Sequence, residues 1–219
     1  SPVAALQTAA MAVTTGVANN VLVCLGRSNA MGNEGRITSR LAEMPQMRVV
    51  AEFEMPVGAN APAQFYAPMA RRHMELYDTK SEHFAEIAMV CRANAQLNDR
   101  AIMRKPMLID DHQNSRMIAD PLRLFDCSLE SFGAAAVIVS SAESARDMKH
   151  MPIYIGGVAE GHPDSPSAIT QRPLMTTLGI SKAAPIAFKN AGVELSDIDV
   201  AQIYDCFTYI VLCQLEDLG

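Results

Sequence analysis

Along the chain, apolar residues recur at helical spacing at Val3, Leu6, Ala10 and Val13, and Gly16 follows as a stop. That pattern predicts an amphipathic helix. Val21–Leu25 is an unbroken apolar run closed by Gly26, as expected of a buried strand. From about residue 27 to 123 the pattern is irregular and punctuated by Gly32, Gly35, Pro45, Pro56, Gly58, Pro62 and Pro68. Two helices stand out in this long loop region. One covers roughly 67–77; the other starts behind Ser81 as a cap, with Phe84, Ile87, Ala88, Cys91 and Ala95 on one face. Gly133–Val139 predicts a second buried strand, and Ser140 with Glu143 predicts a capping box for a helix reaching about Lys149.

Pro152 marks a boundary between two halves. Beyond it, Ile153–Val158 and Ile198–Ile203 are expected strands. Between them lies a helix capped by Ser181, with Pro185 in its first turn and Gly192 as its stop. A last helix, capped by Asp205 or Thr208, carries Ile210, Val211, Leu215 and Leu218 and ends at Gly219. Strand–helix units in this order define an α/β protein with a long loop insertion, and the order leaves room for two halves of similar plan, 1–150 and 151–219.

At 219 residues and 49% hydrophobic, the chain can bury a sizeable core. No window approaches the roughly 20 apolar residues of a membrane span, and no secretory signal is visible. A net charge of −6 without a basic stripe argues against nucleic acid as a partner. The five cysteines, Cys24, Cys91, Cys127, Cys206 and Cys213, form no CxxC pair, so zinc-ribbon and redox chemistry lack support and no metal is expected. They are expected as buried thiols in a reducing cytosol. The glycines between Gly26 and Gly35 make no phosphate loop, and neither a dinucleotide fingerprint nor a Gly-x-Ser-x-Gly elbow occurs.

Ligands of α/β sheets meet the carboxyl ends of strands, where helix N-termini point free N–H groups. Tyr204 falls at one such end, and its phenol is able to give or take a proton. Position alone favours a tyrosine packed at the strand end with its hydroxyl wet. Asp205 reads as a cap or structural carboxylate, Cys206 as a structural thiol, and His112 and His162 as loop histidines on the surface or in hydrogen bonds.

Several blocks resemble the thiolase superfamily, in particular its sterol-carrier and lipid-transfer-protein branch: Asp120–Ser128, Gly133–Val137, Lys182–Phe188, Ala191–Val193, and above all Asp197–Thr208 continuing through Gln214–Gly219. The resemblance implies two α/β halves stacked in five layers, usually a cytoplasmic homodimer. It would place a nucleophilic cysteine about two residues before Ser1, and a histidine and second cysteine beyond Gly219. Where thiolases carry Asn or His in the block before Asp205-Cys206-Phe207, this chain has Tyr204. Phe132 stands where the family often has Asp, a departure affecting a structural turn. Tyr204 in that place is similar to thiolase-like aldolases that shorten steroid side chains, which typically work with an OB-fold, zinc-ribbon partner.

The resemblance therefore implies retro-aldol cleavage of a β-hydroxyacyl-CoA, with Tyr204 as the catalytic proton donor or acceptor and Phe207 and His162 as candidate substrate contacts. The CoA thioester is the substrate and no further cofactor is expected. A thiolytic acyltransferase with its cysteine outside this chain is the alternative. A non-catalytic lipid- or acyl-CoA-binding subunit is a third.

Overall fold

The computed structural model describes residues 2–27, 48–129, 131, 133–163 and 172–219. Most of the glycine-rich stretch after Gly26, Pro45 and Phe132 lie outside the described residues.

Helix α1 (Pro2–Thr14) forms where the helical spacing predicts it, and Gly16 turns the chain with φ +74°. Strand β1 (Asn20–Arg27) follows and pairs antiparallel with the later β4 (Gly133–Ser140), Val23 opposite Val137 and Leu22 opposite Ile138. Both were expected to be buried. Instead Leu22 and Ile138 are 64% and 66% exposed, because the ribbon has two strands and, among the described residues, α1 supplies its main cover. A run apolar on both faces needs cover on both to be buried.

Helix α2 runs from Pro62 to Tyr77, starting five residues earlier than expected. Pro62 occupies the first turn, where its missing N–H costs nothing, and Pro68 is carried inside the helix. Helix α3 spans Ser81–Gln96, with Lys80 rather than Ser81 at the cap position. The Ser81 hydroxyl instead accepts a bond from Gln113 Nε2 at 3.2 Å. A short helix α4 (Ile109–Gln113) leads into a small hairpin, β2 (Met117–Ala119) and β3 (Leu122–Arg123), and then a 3₁₀ turn at Leu124–Asp126. After β4, helix α5 (Ala142–Arg146) is capped by Ser141, whose Oγ accepts from Ser144 N at 3.2 Å; the expected Ser140 cap is one residue off.

Helix α6 (Ile180–Ala191) starts behind Gly179 rather than Ser181 and ends on Gly192 at φ +69°. Helix α7 (Thr208–Leu218) follows Phe207 as its cap residue. The expected strands at 153–158 and 198–203 pair with no ladder among the described residues. A strand exists through its neighbour's hydrogen bonds, and none of the described segments lies alongside to supply them. The segment around Gly156–Gly161 instead lies along α6. A Cβ on Gly161 would fall 1.9 Å from the Gly179 carbonyl oxygen, and one on Gly157 2.2 Å from that of Ala187, so glycine is required for this approach.

The core sits between α2, α3, the β2–β3 hairpin and α7, around Met69, Phe84, Leu122, Phe207, Tyr209 and Cys213. Polar pins cross it. Buried His73 of α2 bonds Thr79 Oγ1 through Nδ1 and Glu216 through Nε2, both at 2.8 Å. Contrary to the expectation of buried thiols, only Cys213 is fully buried; Cys24 and Cys91 are exposed, Cys127 and Cys206 intermediate, and all five are free.

Candidate active site

An extended segment delivers residues 201–205 to the N-terminus of α7, and two bonds fix that corner. Gln214 Nε2, on α7, donates to the Tyr204 carbonyl at 2.6 Å, and Ser128 N–H donates to the Cys206 carbonyl at 3.0 Å. Cys127 and Phe207 form an antiparallel bridge beside them. Tyr204 is thus a fixed backbone position carrying a side chain that is 69% exposed. Its hydroxyl shares a hydrogen bond with the Cys206 thiol, which burial nevertheless pushes above its usual range.

Tyr66 of α2, which the sequence reading missed, completes the group. Its ring packs tilted against Phe207, centroids 5.0 Å apart, and its hydroxyl interacts electrostatically with Cys206, Tyr204 and Arg172. Burial, more than those neighbours, pushes the Tyr66 phenol up to about 12, so near neutrality it is a hydrogen-bond donor.

Phe207, expected to touch substrate, is 6% exposed and lies in the core, where it supports Tyr66. His162 is exposed on the segment against α6, its Nε2 4.0 Å from Glu160 Oε1. The structure thus gathers Tyr204, Cys206, Phe207 and Tyr66, while His162 sits beside Glu160 on the segment against α6.

His112, expected as a surface or hydrogen-bonded loop histidine, is fully buried and bonded to Asp126 at 2.8 Å. Asp205 is exposed and does not cap α7; it lines a cavity of about 510 Å³ together with Arg92, Arg100, Met103, Phe125 and Ser128. A second hollow of about 430 Å³ shares Arg92, Met103 and Phe125 and adds Arg104 and Lys105. Carboxylates share both linings with these basic groups, Asp205 in the first and Asp111 in the second. Tyr204 does not line either hollow. Successive residues of an extended chain face opposite ways, so Asp205 looks into the cavity while Tyr204 faces the other side.

Among the described residues, one group has metal-ligand chemistry: His73, Cys213 and Glu216, whose ligand atoms all lie within 4.8 Å of one another. Both His73 nitrogens already have oxygen partners, so hydrogen bonding accounts for the cluster. Among the described residues, no helix is long and apolar enough to cross a membrane.

The fold is an α/β thiolase fold. Over the whole chain it superposes on the Ltp2-ChsH2(DUF35) aldolase with a TM-score of 0.84 at 35% identity, covering 56% of that chain. A family profile described as "Thiolase C-terminal domain-like" matches residues 161–219. The chain is 38% identical to a "Steroid side-chain-cleaving aldolase" of Thermomonospora curvata over 98% of its length and 56% of the relative's. It is also 38% identical to a "17-hydroxy-3-oxo-4-pregnene-20-carboxyl-CoA lyase" of Mycobacterium tuberculosis, over 99% of this chain and 58% of the relative. The chain belongs to the thiolase superfamily, in its sterol-carrier-protein-like branch. It spans little more than half the length of the curated relatives it matches.

Proposed function

We propose that this chain is part of a thiolase-fold lyase that cleaves a β-hydroxyacyl-CoA by a retro-aldol reaction, with a steroid side chain as the acyl group. The observation that carries the reading is Tyr204, an exposed phenol on a fixed corner. Its weight comes from the 38% identity of the surrounding chain to a steroid side-chain aldolase. In the reaction a base takes the proton of the β-hydroxyl. The Cα–Cβ electrons pass to Cα, the β-carbon becomes a carbonyl, and the enolate of the shorter thioester is protonated at Cα. Charge develops on the thioester oxygen, and donors aimed there lower the barrier.

Tyr204 is the proton donor or acceptor, and Tyr66, which retains its proton near neutrality, supports it through Cys206. Phe207 and His162 serve substrate binding, Phe207 by holding Tyr66 in place. On this reading residues 1–150 belong to the first thiolase half and 151–219 to the second, in a cytoplasmic homodimer. A partner subunit of the DUF35 kind joins it, an assembly supported by the make-up of the matching Ltp2-ChsH2(DUF35) aldolase.

The test is Tyr204→Phe in the full-length protein, incubated with a β-hydroxyacyl-CoA bearing a steroid or branched chain. The expected outcome is a loss of about 10²–10⁴-fold in release of the shorter CoA ester, with unchanged melting. Wild-type turnover by the variant would refute the role. CoA-dependent thiolysis of a 3-oxoacyl-CoA by the wild type, without aldol cleavage, would favour the acyltransferase alternative.

A further inference from the structure

A buried carboxylate grips the Tyr204 corner from behind. We propose that Asp126, oriented by His112, is a positioning residue for Tyr204 and acts through Thr208 at the start of α7. The inference rests on the aldolase reading for the reaction it serves, while its geometry stands apart from that reading.

Asp126 Oδ1 accepts two hydrogen bonds, from His112 Nε2 at 2.8 Å and from Thr208 Oγ1 at 2.6 Å. Its Oδ2 accepts the Arg123 N–H at 2.7 Å. A carboxylate only accepts, so the proton of His112 sits on Nε2. The other nitrogen, Nδ1, then faces Gln113 Nε2 at 3.4 Å as an acceptor. One neutral tautomer satisfies every contact. All three groups, His112, Asp126 and Thr208, are buried.

Apolar residues could fill the same volume at no loss of stability, because burying a charge costs more than shape-matched packing. What they could not supply is direction. The Thr208 hydroxyl sits on the first residue of α7, and its bond to Asp126 sets the rotation at which the chain enters the helix. Immediately beyond Asp126, Cys127 pairs with Phe207 and Ser128 N–H holds the Cys206 carbonyl at 3.0 Å. Three consecutive residues, 126–128, therefore hold three consecutive residues, 206–208. Tyr204 lies two residues before that strap. Its ring is largely exposed and its hydroxyl bonds the Cys206 thiol, a residue of the strap, so the strap sets both its backbone and its hydroxyl. A misplacement of about 1 Å at a reacting group costs on the order of 10²-fold in rate.

The test pairs Thr208→Val, which removes the hydroxyl and keeps the shape, with Thr208→Ser, which keeps the hydroxyl. In the full-length protein Thr208→Val is expected to lower kcat for β-hydroxyacyl-CoA cleavage about 10–100-fold with KM within about twofold, and Thr208→Ser to return it to within about threefold. A readout independent of the reaction is the alkylation rate of Cys206, followed by mass spectrometry of its peptide. It is expected to rise several-fold in Thr208→Val and to stay at the wild-type rate in Thr208→Ser. Asp126→Asn, which replaces an acceptor by a donor facing other donors, is expected to give the same pattern and serves if Thr208→Val does not fold.

Wild-type kcat and wild-type Cys206 alkylation in a folded Thr208→Val, or a Thr208→Ser that behaves like it, would overturn the proposal. If the wild type cleaves no β-hydroxyacyl-CoA, the aldolase reading fails, and the alkylation rates alone still decide whether Asp126 holds the corner.

Discussion

The β1–β4 ribbon is built from more apolar sequence than the helical core around α2, α3 and α7, yet it is the ribbon that ends in solvent. Leu22 and Ile138 face solvent across the ribbon, whereas Phe84 and Tyr209 are sealed, their rings edge to face at 6.2 Å. Helices bury a stripe by leaning on each other, and α2, α3 and α7 lie within reach of one another in this chain. A two-stranded sheet has two broad faces, and α1 covers part of one. Apolar content therefore tells what a segment wants to bury, and the available neighbours decide whether it does.

Three measurements break or sharpen that comparison. The largest effect is expected at the centre of the helical core. Phe84→Ala should cost about 3–5 kcal/mol in denaturant unfolding, since the ring is fully buried and its loss leaves a cavity. A cost below about 1 kcal/mol would mean the core is loosely packed.

The second effect is alkaline and of intermediate size. Burial pushes the Cys127 thiol up to about 11 and the Cys213 thiol up to about 12, from an ordinary 9.0. Between pH 9 and 11 the unfolded chain loses protons that the folded chain keeps, so stability falls as pH rises through that window and is unaffected by these groups below it. Melting temperature against pH should show this slope, and Cys127→Ala should flatten it; an identical slope in the variant would show that the thiol contributes nothing.

The smallest effect is expected on the ribbon. Ile138→Ser should shift stability by no more than about 0.5 kcal/mol in this chain, as for an uncovered surface position. A shift of several kcal/mol, measured the same way, would show that something covers that face.

How much was legible follows from the same physics. The longer helices of this chain announced themselves through local spacing, while the five-residue α4 was read as loop; Gly16 and Gly192 marked helix ends correctly because a left-handed turn favours glycine whatever lies around it. Tyr204 was legible as a phenol at the entrance to a helix. The cap positions slipped by a residue or two, as at Ser141 and Gly179, since neighbouring residues offered equally good chemistry.

The polar pins were not legible. His112 meets Asp126 across 14 residues, Thr208 meets Asp126 across 82, and His73 meets Glu216 across 143. No local pattern encodes partners at such separations. Tyr66 was hidden in the same way, inside a helix whose start was read as a proline-broken loop. The strands expected at 153–158 and 198–203 show the converse failure: their composition was right, and no described segment pairs with them.

The glycine contact between the 153–161 segment and α6 has a consequence for how this chain could vary. Gly161 and Gly179 each occupy the space that a methyl group on the other would need. Neither position could accept alanine without prising the segment off the helix. His162, the next residue, would be carried outward with it. The reach of that imidazole is thus governed by two absent methyl groups rather than by the histidine itself.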